Sequence, residues 1–220
     1  MVFSVVVVLT VAALAGTATP AAGESIEGIV RTADGKPVPD AVVSAVGPGG
    51  SHTTVRAGRA IVDQQDKEFV PHVRAVMTGT EVTFPNRDEI RHHVYSFSPA
   101  KKFELPLFKG TQSAPVTFDK PGIVVLGCNI HDWMLGYVAV LETPHFDTTG
   151  ADGHARIANL PAGTYDVHVW HPRLADGGAP TSRRVNSGPG KDERVEFILT
   201  LKPDVRPRRA PSGPSGGRYR

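Results

Sequence analysis

The amino-acid sequence predicts an all-β fold made of small β-sandwiches. Residues 24–202 show no long stretch with the helical period, and short apolar runs alternate there with Gly, Pro, Asp and Asn turns. Glycine contributes 23 and proline 19 of the 220 residues, which is typical of short strands joined by many turns. Because 40% of the residues are hydrophobic, the chain is able to bury a sizeable core. The formal net charge of +2 is too small for a protein that binds nucleic acid through charge.

The first 23 residues predict a secretory signal peptide. They contain no charged side chain, and an apolar run from Phe3 to Ala15 is followed by small residues up to Gly23. The run is too short for a comfortable membrane span, although an uncleaved N-terminal anchor is the alternative. Either way, we expect the rest of the chain in an oxidising space, periplasmic or secreted, with no stable membrane span once the signal is removed.

Residues 203–220 predict a disordered basic tail. They contain five arginines and one aspartate, together with four prolines and three glycines. A solvated tail is favoured over a docking arm.

Strands are predicted at both ends of the region between the signal and the tail. Near its start, apolar residues alternate over residues 26–30, the turn 34–37 follows, and residues 41–46 form a second strand. Near its end, residues 165–170 and 195–201 have the same strand pattern. Two strands alone do not make a stable sandwich, so the early strands need the later ones to close a core.

These separated pieces resemble the two halves of a carboxypeptidase regulatory-like (transthyretin-like) sandwich. The first half matches from Gly28 to Val46, which includes the Asp-Gly-Lys-Pro turn. The second matches from Thr149 to His171, which includes the run Leu-Pro-Ala-Gly-Thr-Tyr. We therefore expect one domain inserted into another, the alternative being two unrelated β segments that flank a domain. The expected regions are a signal peptide at 1–23, a discontinuous sandwich at 24–55 and 142–202, an inserted domain at 56–141 and the tail at 203–220.

The inserted region contains the residues that carry chemistry. Its strands are predicted at 73–77, 81–84, 93–97, 116–118, 123–127 and 137–141. The fifth of these is a buried strand that ends at Cys128, after which a tight turn projects His131 and Met134 begins the return strand. Cys128 is the only cysteine of the chain, which excludes an internal disulfide, a zinc site built from several cysteines and a cysteine-held iron–sulfur cluster.

A cysteine, a histidine and a methionine at this spacing indicate a copper site. Cysteine with two histidines and a weak axial methionine is the blue-copper arrangement, because thiolate and thioether suit Cu(I) while imidazole suits both oxidation states. The second histidine is supplied by His92 or His93, at the start of an upstream strand. Side chains alternate along a strand, so these two histidines cannot face the same metal ion.

Residues 61–141 resemble a cupredoxin. Asn86, Asp88 and His92 match the segment before the first histidine ligand, and the run Phe-Asp-Lys-Pro-Gly that begins at Phe118 matches the approach to the cysteine strand. The Cys-x2-His-x2-Met spacing is that of the short amicyanin-like loop. The loop departs from that pattern at Asp132 and Trp133, where amicyanin-like loops usually carry proline.

The resemblance implies one type 1 copper with four protein ligands. Equatorial ligands would be His92, Cys128 and His131, and the axial ligand would be Met134. The motif spacing favours His92, and His93 remains the alternative ligand or a brace for the ligand loop. The whole chain also resembles methylamine-utilisation proteins through the runs FPNRD, HHVYSFS, FELPL and GCNIHDWM.

Three functions are compatible with the sequence. The first is an exported carrier of single electrons, with redox partners such as a c-type cytochrome or a periplasmic dehydrogenase and with Trp133 and Leu135 as apolar contact surface. The second is copper delivery or storage through the same ligands, and the third is a metal-free interaction module. An enzyme is not expected, because the sequence shows no second metal site and no nucleophile–base pair.

Overall fold

A computed structural model shows that this chain is built from strands. It describes residues 24–47, 58–110, 114–175, 181–188 and 192–204. Every regular element in these ranges is a β-strand, which confirms the all-β fold, and this part of the chain holds no helix long and apolar enough to cross a bilayer. The predicted signal peptide, and the predicted tail from residue 205 onward, lie outside the described residues.

Seventeen strands are described, and they are numbered here in chain order. Their bounds are β1 Glu24–Thr32, β2 Val42–Val46, β3 Arg59–Ile61, β4 Asp63–Gln65, β5 Glu68–Val70, β6 Val73–Met77, β7 Thr80–Thr83, β8 His92–Ser98, β9 Lys101–Phe108, β10 Val116–Phe118, β11 Gly122–Gly127, β12 Leu135–Leu141, β13 Phe146–Thr148, β14 His154–Leu160, β15 Gly163–Trp170, β16 Thr181–Ser187 and β17 Asp192–Leu199.

Strands from both ends of the described chain enclose one hydrophobic core. One sheet has the order β14-β1-β17 and the other has the order β13-β2-β15-β16. Their facing side chains, which include Ile26, Val43, Val167 and Phe197, are fully buried between the two sheets. We call this unit the terminal sandwich (residues 24–47, 142–175, 181–188 and 192–204). Its N-terminal strands depend on the C-terminal ones for a core, as a sandwich of two layers requires.

The strands in between enclose a second core. A five-stranded sheet of order β6-β12-β11-β8-β9 packs on a three-stranded sheet of order β10-β7-β3. In each sheet several neighbouring strands are not consecutive in the chain, as in a Greek-key sandwich. Along β11, Val124 and Leu126 are buried while Val125 is exposed, which is the alternation expected when one face of a strand meets the core. We call this unit the middle sandwich (residues 58–110 and 114–141).

The two sandwiches meet along an apolar seam. Val42 of the terminal sandwich is buried with Val73 and Ala139 of the middle sandwich. Beside them the rings of Tyr137 and Trp170 pack edge to face, with centroids 5.9 Å apart. The outer face of β6 and β12 is therefore covered by the terminal sandwich.

Strand pairing in the five-stranded sheet brings three chain segments together at one end. β11 is antiparallel to both β8 and β12, so its last residue, Gly127, pairs with Tyr95 in the middle of β8 and with Leu135 at the start of β12. The segments that flank these strand ends are those that carry the sequence-predicted metal ligands.

Candidate metal centre

Three potential metal-binding atoms converge at this end of the middle sandwich. Sγ of Cys128 lies 4.0 Å from Nδ1 of His92 and 3.8 Å from Nδ1 of His131. The donor atoms of these three residues all lie within 4.8 Å of one another, and they form the one such group found among the described residues. His92 is the first residue of β8, Cys128 directly follows β11, and His131 lies in the loop before β12.

The spacing of these atoms fits a single metal ion. With metal–nitrogen bonds of about 2.0–2.1 Å and a metal–sulfur bond of about 2.3 Å, a trigonal or tetrahedral angle separates nitrogen from sulfur by roughly 3.6–3.8 Å. The observed 3.8 Å and 4.0 Å are close to this separation. One thiolate with two imidazoles is a donor set that copper accepts in both oxidation states.

Asp88 orients the ring of His92. Nε2 of the fully buried His92 donates a hydrogen bond of 2.7 Å to Oδ2 of Asp88, because a carboxylate only accepts. The bonded nitrogen therefore carries the proton, which leaves the lone pair of Nδ1 directed toward Cys128. A carboxylate behind a metal-binding imidazole also raises the basicity of that ligand.

The loop around Asp88 holds its carboxylate in the ionised form. Burial would raise the pKa of Asp88, but hydrogen bonds from the Lys67 backbone, from His92 and from the Asp66 backbone outweigh it and lower the pKa. The two backbone N–H groups lie 2.8 Å and 2.7 Å from its oxygens. An ionised Asp88 is the acceptor that the Nε2–H group of His92 requires.

Asn86 fixes the path of the same loop. Its side-chain amide donates to the carbonyl oxygens of Ile90 and Phe108, at 2.9 Å each, and its Oδ1 accepts the backbone N–H of Asp88 at 2.9 Å. All three bonds join backbone that leads into or lies beside β8. The buried Asn86 thus positions both Asp88 and His92.

His131 is the ligand candidate nearest the solvent. It is half-buried, its ring lies 4.9 Å from that of His92 and 5.1 Å from that of Trp133, and Asp132 next to it is exposed. Burial, with a smaller contribution from His92, lowers the pKa of His131. The ring is therefore neutral near pH 7, as metal binding requires.

The structure places Met134 beside the same core. Its backbone N–H donates to the carbonyl oxygen of His131 at 2.9 Å, which closes the turn between the two residues. Its side chain is 1% exposed and packs in the hydrophobic cluster that contains Cys128. The ligand loop is thus anchored at both ends, because Cys128 and Met134 are both buried in the core of the middle sandwich.

His93 lies on the opposite side of β8 and outside the cluster. Its Nε2 lies 2.9 Å from Oε1 of Glu104 on β9, and its ring contacts that of Tyr95. Its Nδ1 is buried without a hydrogen-bond partner among the described residues. The structure therefore brings His92, and not His93, together with Cys128 and His131.

Sequence reasoning missed the contact between Asp88 and His92. In the sequence, Asp88 is identified only as a position that matches a motif, which assigns no role to its carboxylate. The available signal was the acidic residue four positions before the histidine, in a loop short enough to fold back on the strand.

Comparison with known proteins gives partial structural similarities. No family model and no curated protein sequence matches the chain. A Cu-containing nitrite reductase from Thermus scotoductus is 24% identical over 43% of this chain with a TM-score of 0.36, and the chain spans only 25% of that protein. A reduced amicyanin variant is 25% identical over 44% of this chain and 99% of its own, with a TM-score of 0.35. A purple cupredoxin from Nitrosopumilus maritimus is 22% identical over 38% of this chain and 99% of its own, with a TM-score of 0.33. Similarity at this level concerns part of the chain only.

Proposed function

We propose that this chain is an exported mononuclear blue-copper protein that carries single electrons. The observation that supports it is the convergence of Nδ1 of His92, Sγ of Cys128 and Nδ1 of His131 at metal-ligand spacing. These three residues would hold one copper ion, with the thioether of Met134 as a weak fourth ligand. The bound copper would supply a Cu(I)/Cu(II) couple.

The protein around the site favours a fixed metal over an exchanging one. Cys128 is 4% exposed and His92 is fully buried, so water and competing thiols have little access to these ligands. Hydrogen bonds of Asp88 and Asn86 fix the position of His92 on one side of the site. On the other side, the hydrogen bond that closes the turn from His131 to Met134 fixes the ligand loop. A donor set held in this way rearranges little between oxidation states, which suits an electron carrier better than copper delivery.

The half-buried His131 would be the point of electron exit. The ring of Trp133, which is also half-buried, lies 5.1 Å from that of His131, so an aromatic side chain borders the exposed edge of the site. A partner docked there would come close to the metal. Redox proteins such as a c-type cytochrome or a periplasmic dehydrogenase would bind at this surface and exchange one electron at a time.

Reversible redox cycling of the copper-loaded protein tests this role. The protein is loaded with Cu(II), reduced with ascorbate and re-oxidised with ferricyanide while the visible spectrum is recorded. A carrier binds one copper per chain, loses its intense thiolate-to-copper band on reduction and regains it on oxidation. Rapid loss of Cu(I) to a chelator such as bathocuproine, without reversible cycling, would favour delivery or storage instead. Failure to bind copper in either oxidation state would favour a metal-free module.

A further inference from the structure

The start of β12 is the backbone segment that directly follows Met134. Its first residue, Leu135, pairs with Gly127 of β11 on one side. On the other side, the pairing of β12 with β6 begins only at Tyr137 and Val73, two residues further along β12. The ladder with β6 therefore does not include Leu135. The backbone at this point determines where the side chain of Met134 lies.

The ring of His72 binds the backbone at this position. Its Nδ1 lies 3.0 Å from the carbonyl oxygen of Leu135, and Nδ1 carries the proton because a carbonyl oxygen only accepts. The carbonyl oxygen of His72 in turn accepts the backbone N–H of Tyr137 at 2.9 Å. One residue thus holds β12 at two points, and the first of them is next to Met134.

Two further contacts fix the same short segment. The backbone N–H of Met134 donates to the carbonyl oxygen of His131 at 2.9 Å. A Cβ added to Gly136 would lie 2.8 Å from Cβ of Phe69, so the backbone of Gly136 packs closely on that side chain. The hydrogen bond from His72 holds the residue between these two contacts.

The ring of His72 is itself held at the junction of the two sandwiches. It packs edge to face on the ring of Tyr137, with centroids 5.4 Å apart and an interplanar angle of 87°. The ring of Tyr137 packs on that of Trp170 in the terminal sandwich, with centroids 5.9 Å apart. His72 also lines the cleft between the two sandwiches, together with His171 of the terminal sandwich. A row of three rings therefore leads from the terminal sandwich to the carbonyl group of Leu135.

From these contacts we propose that His72 is a positioning residue for Met134. The inference rests on the proposed function, because it takes Met134 as the weak fourth ligand of a bound copper ion. His72 is not one of the four proposed ligands, and it acts by fixing the backbone from which the thioether projects. The axial ligand tunes the reduction potential of such a site, so a looser backbone at Met134 changes the potential without removing a ligand.

Two replacements of His72 separate its hydrogen bond from its ring. His72→Phe keeps a ring that packs on Tyr137 but removes the donor. His72→Asn removes the ring but keeps a donor, because Nδ2 of asparagine and Nδ1 of histidine are the same number of bonds from Cα. His145→Phe is the matched control, since the ring of His145 packs edge to face on Tyr165 in the terminal sandwich, with centroids 6.0 Å apart, and lies outside the ligand cluster.

Amide hydrogen exchange in the copper-free full chain measures the backbone restraint without a metal. Loss of one hydrogen bond in His72→Phe should speed exchange of the Met134 and Tyr137 amides, which flank Leu135, by about 3–10-fold. Exchange in β17 should not change, and His145→Phe should leave the Met134 and Tyr137 amides as in the wild type. Unchanged exchange of both amides in His72→Phe would overturn the proposal. Equal acceleration in β17 would overturn it too, since that result means a general loss of stability.

Voltammetry and visible spectra of the copper-loaded variants test the effect on the site. We expect the thiolate-to-copper band in every variant and a raised reduction potential in His72→Phe, because a thioether held less firmly donates less to Cu(II). The potential of His72→Asn should lie closer to that of the wild type, and His145→Phe should equal the wild type. A potential in His72→Phe equal to or below that of the wild type would contradict the inference.

Failure of this inference is distinct from failure of the proposed function. If the wild type binds no copper, the proposed function and the role of His72 toward Met134 are both refuted. If the wild type has the thiolate-to-copper band but His72→Phe matches it in potential and in amide exchange, only the role of His72 is refuted.

Discussion

At the scale of single residues, Cys128 is the centre of the site. It is the only thiol of the chain, it lies at the end of a buried strand, and its sulfur faces two imidazole nitrogens. A free thiol in an oxidising compartment is open to oxidation, and a thiolate bound to a metal in a closed site is protected from it. Copper binding would therefore explain why a chain predicted to be exported keeps one unpaired cysteine.

Separate replacement of His92 and of His93 should have opposite effects on the visible spectrum of the copper-loaded protein. Because only His92 faces Cys128, His92→Gly should abolish the blue-copper spectrum, and added imidazole should restore part of it by filling the vacated position. His93→Gly should keep the spectrum, since that ring contacts Glu104 and Tyr95. Visible absorption after copper loading measures both. Loss of the spectrum in His93→Gly together with its retention in His92→Gly would reverse the ligand assignment.

Asp88 should strengthen metal binding without contacting the metal. Asp88→Asn keeps the shape of the side chain but removes the negative charge behind His92, so copper affinity should fall by about 10–100-fold. The reduction potential should rise, because the negative charge that is removed stabilises Cu(II) relative to Cu(I). Competition with a chelator and protein-film voltammetry measure the two effects. Glu89→Gln is the control, as Glu89 is exposed and pairs with Lys109, and an equal effect of both changes would refute a specific role for Asp88.

At the scale of elements, the close packing of β12 on β5 gives a stability prediction. A Cβ added to Gly136 would lie 2.8 Å from Cβ of the buried Phe69, so Gly136→Ala should destabilise the protein by about 1–3 kcal/mol. Gly58→Ala is the control, since an added Cβ there meets open space and should change stability by less than about 0.5 kcal/mol. Urea denaturation of the copper-free variants measures both. Equal stability of the two variants would contradict the close contact.

Strands with a regular apolar pattern were predictable from sequence, and the edge strand β9 was not. β11 and β12 have continuous or alternating apolar residues because one face of each meets the core, and the sequence predicts both. β9 was missed because it combines Pro106 with charged residues, a composition tolerated at the sheet edge where this strand lies.

Within the site, the loop was predictable because its residues are close in sequence. The spacing from Cys128 to His131 and Met134 follows from one tight turn between two strands. The partner of His92 was not predictable, because it depends on how the Asp88 loop folds back against the backbone of Asp66 and Lys67. The motif spacing favours His92 over His93, and the structure places His93 outside the ligand cluster although the pairing of β8 with β9 is irregular between His92 and Val94.

At the scale of the whole molecule, the two sandwiches are joined by the apolar seam. Strands from both ends of the chain share the terminal core, and the strands between them share the middle core. Residues 24–55, 56–141 and 142–202 as domain limits remain a prediction. In this arrangement the terminal sandwich covers the outer face of β6 and β12.

His171 at this junction makes stability depend on pH. Burial is the main cause that lowers its pKa from an ordinary value near 6.5 to about 4. The unfolded chain therefore takes up this proton first, and stability is lost as the pH falls from about 6.5 to about 4, by about 2 kcal/mol for this residue. Denaturation of the copper-free protein at a series of pH values measures the effect. In His171→Gln the loss over this range should be smaller by that amount, and identical pH profiles would contradict the assignment.

The central claim is that the sulfur of Cys128 binds copper together with His92 and His131. Electron paramagnetic resonance and visible spectra of the Cu(II)-loaded protein test it most directly, with Cys128→Ser as the variant and His154→Gln, a histidine of the terminal sandwich paired with Glu27, as the control. We predict an intense thiolate-to-copper band with a type 1 resonance in the wild type and in His154→Gln, and loss of both in Cys128→Ser. A wild-type protein without this band, or a spectrum unchanged by Cys128→Ser, would contradict the claim.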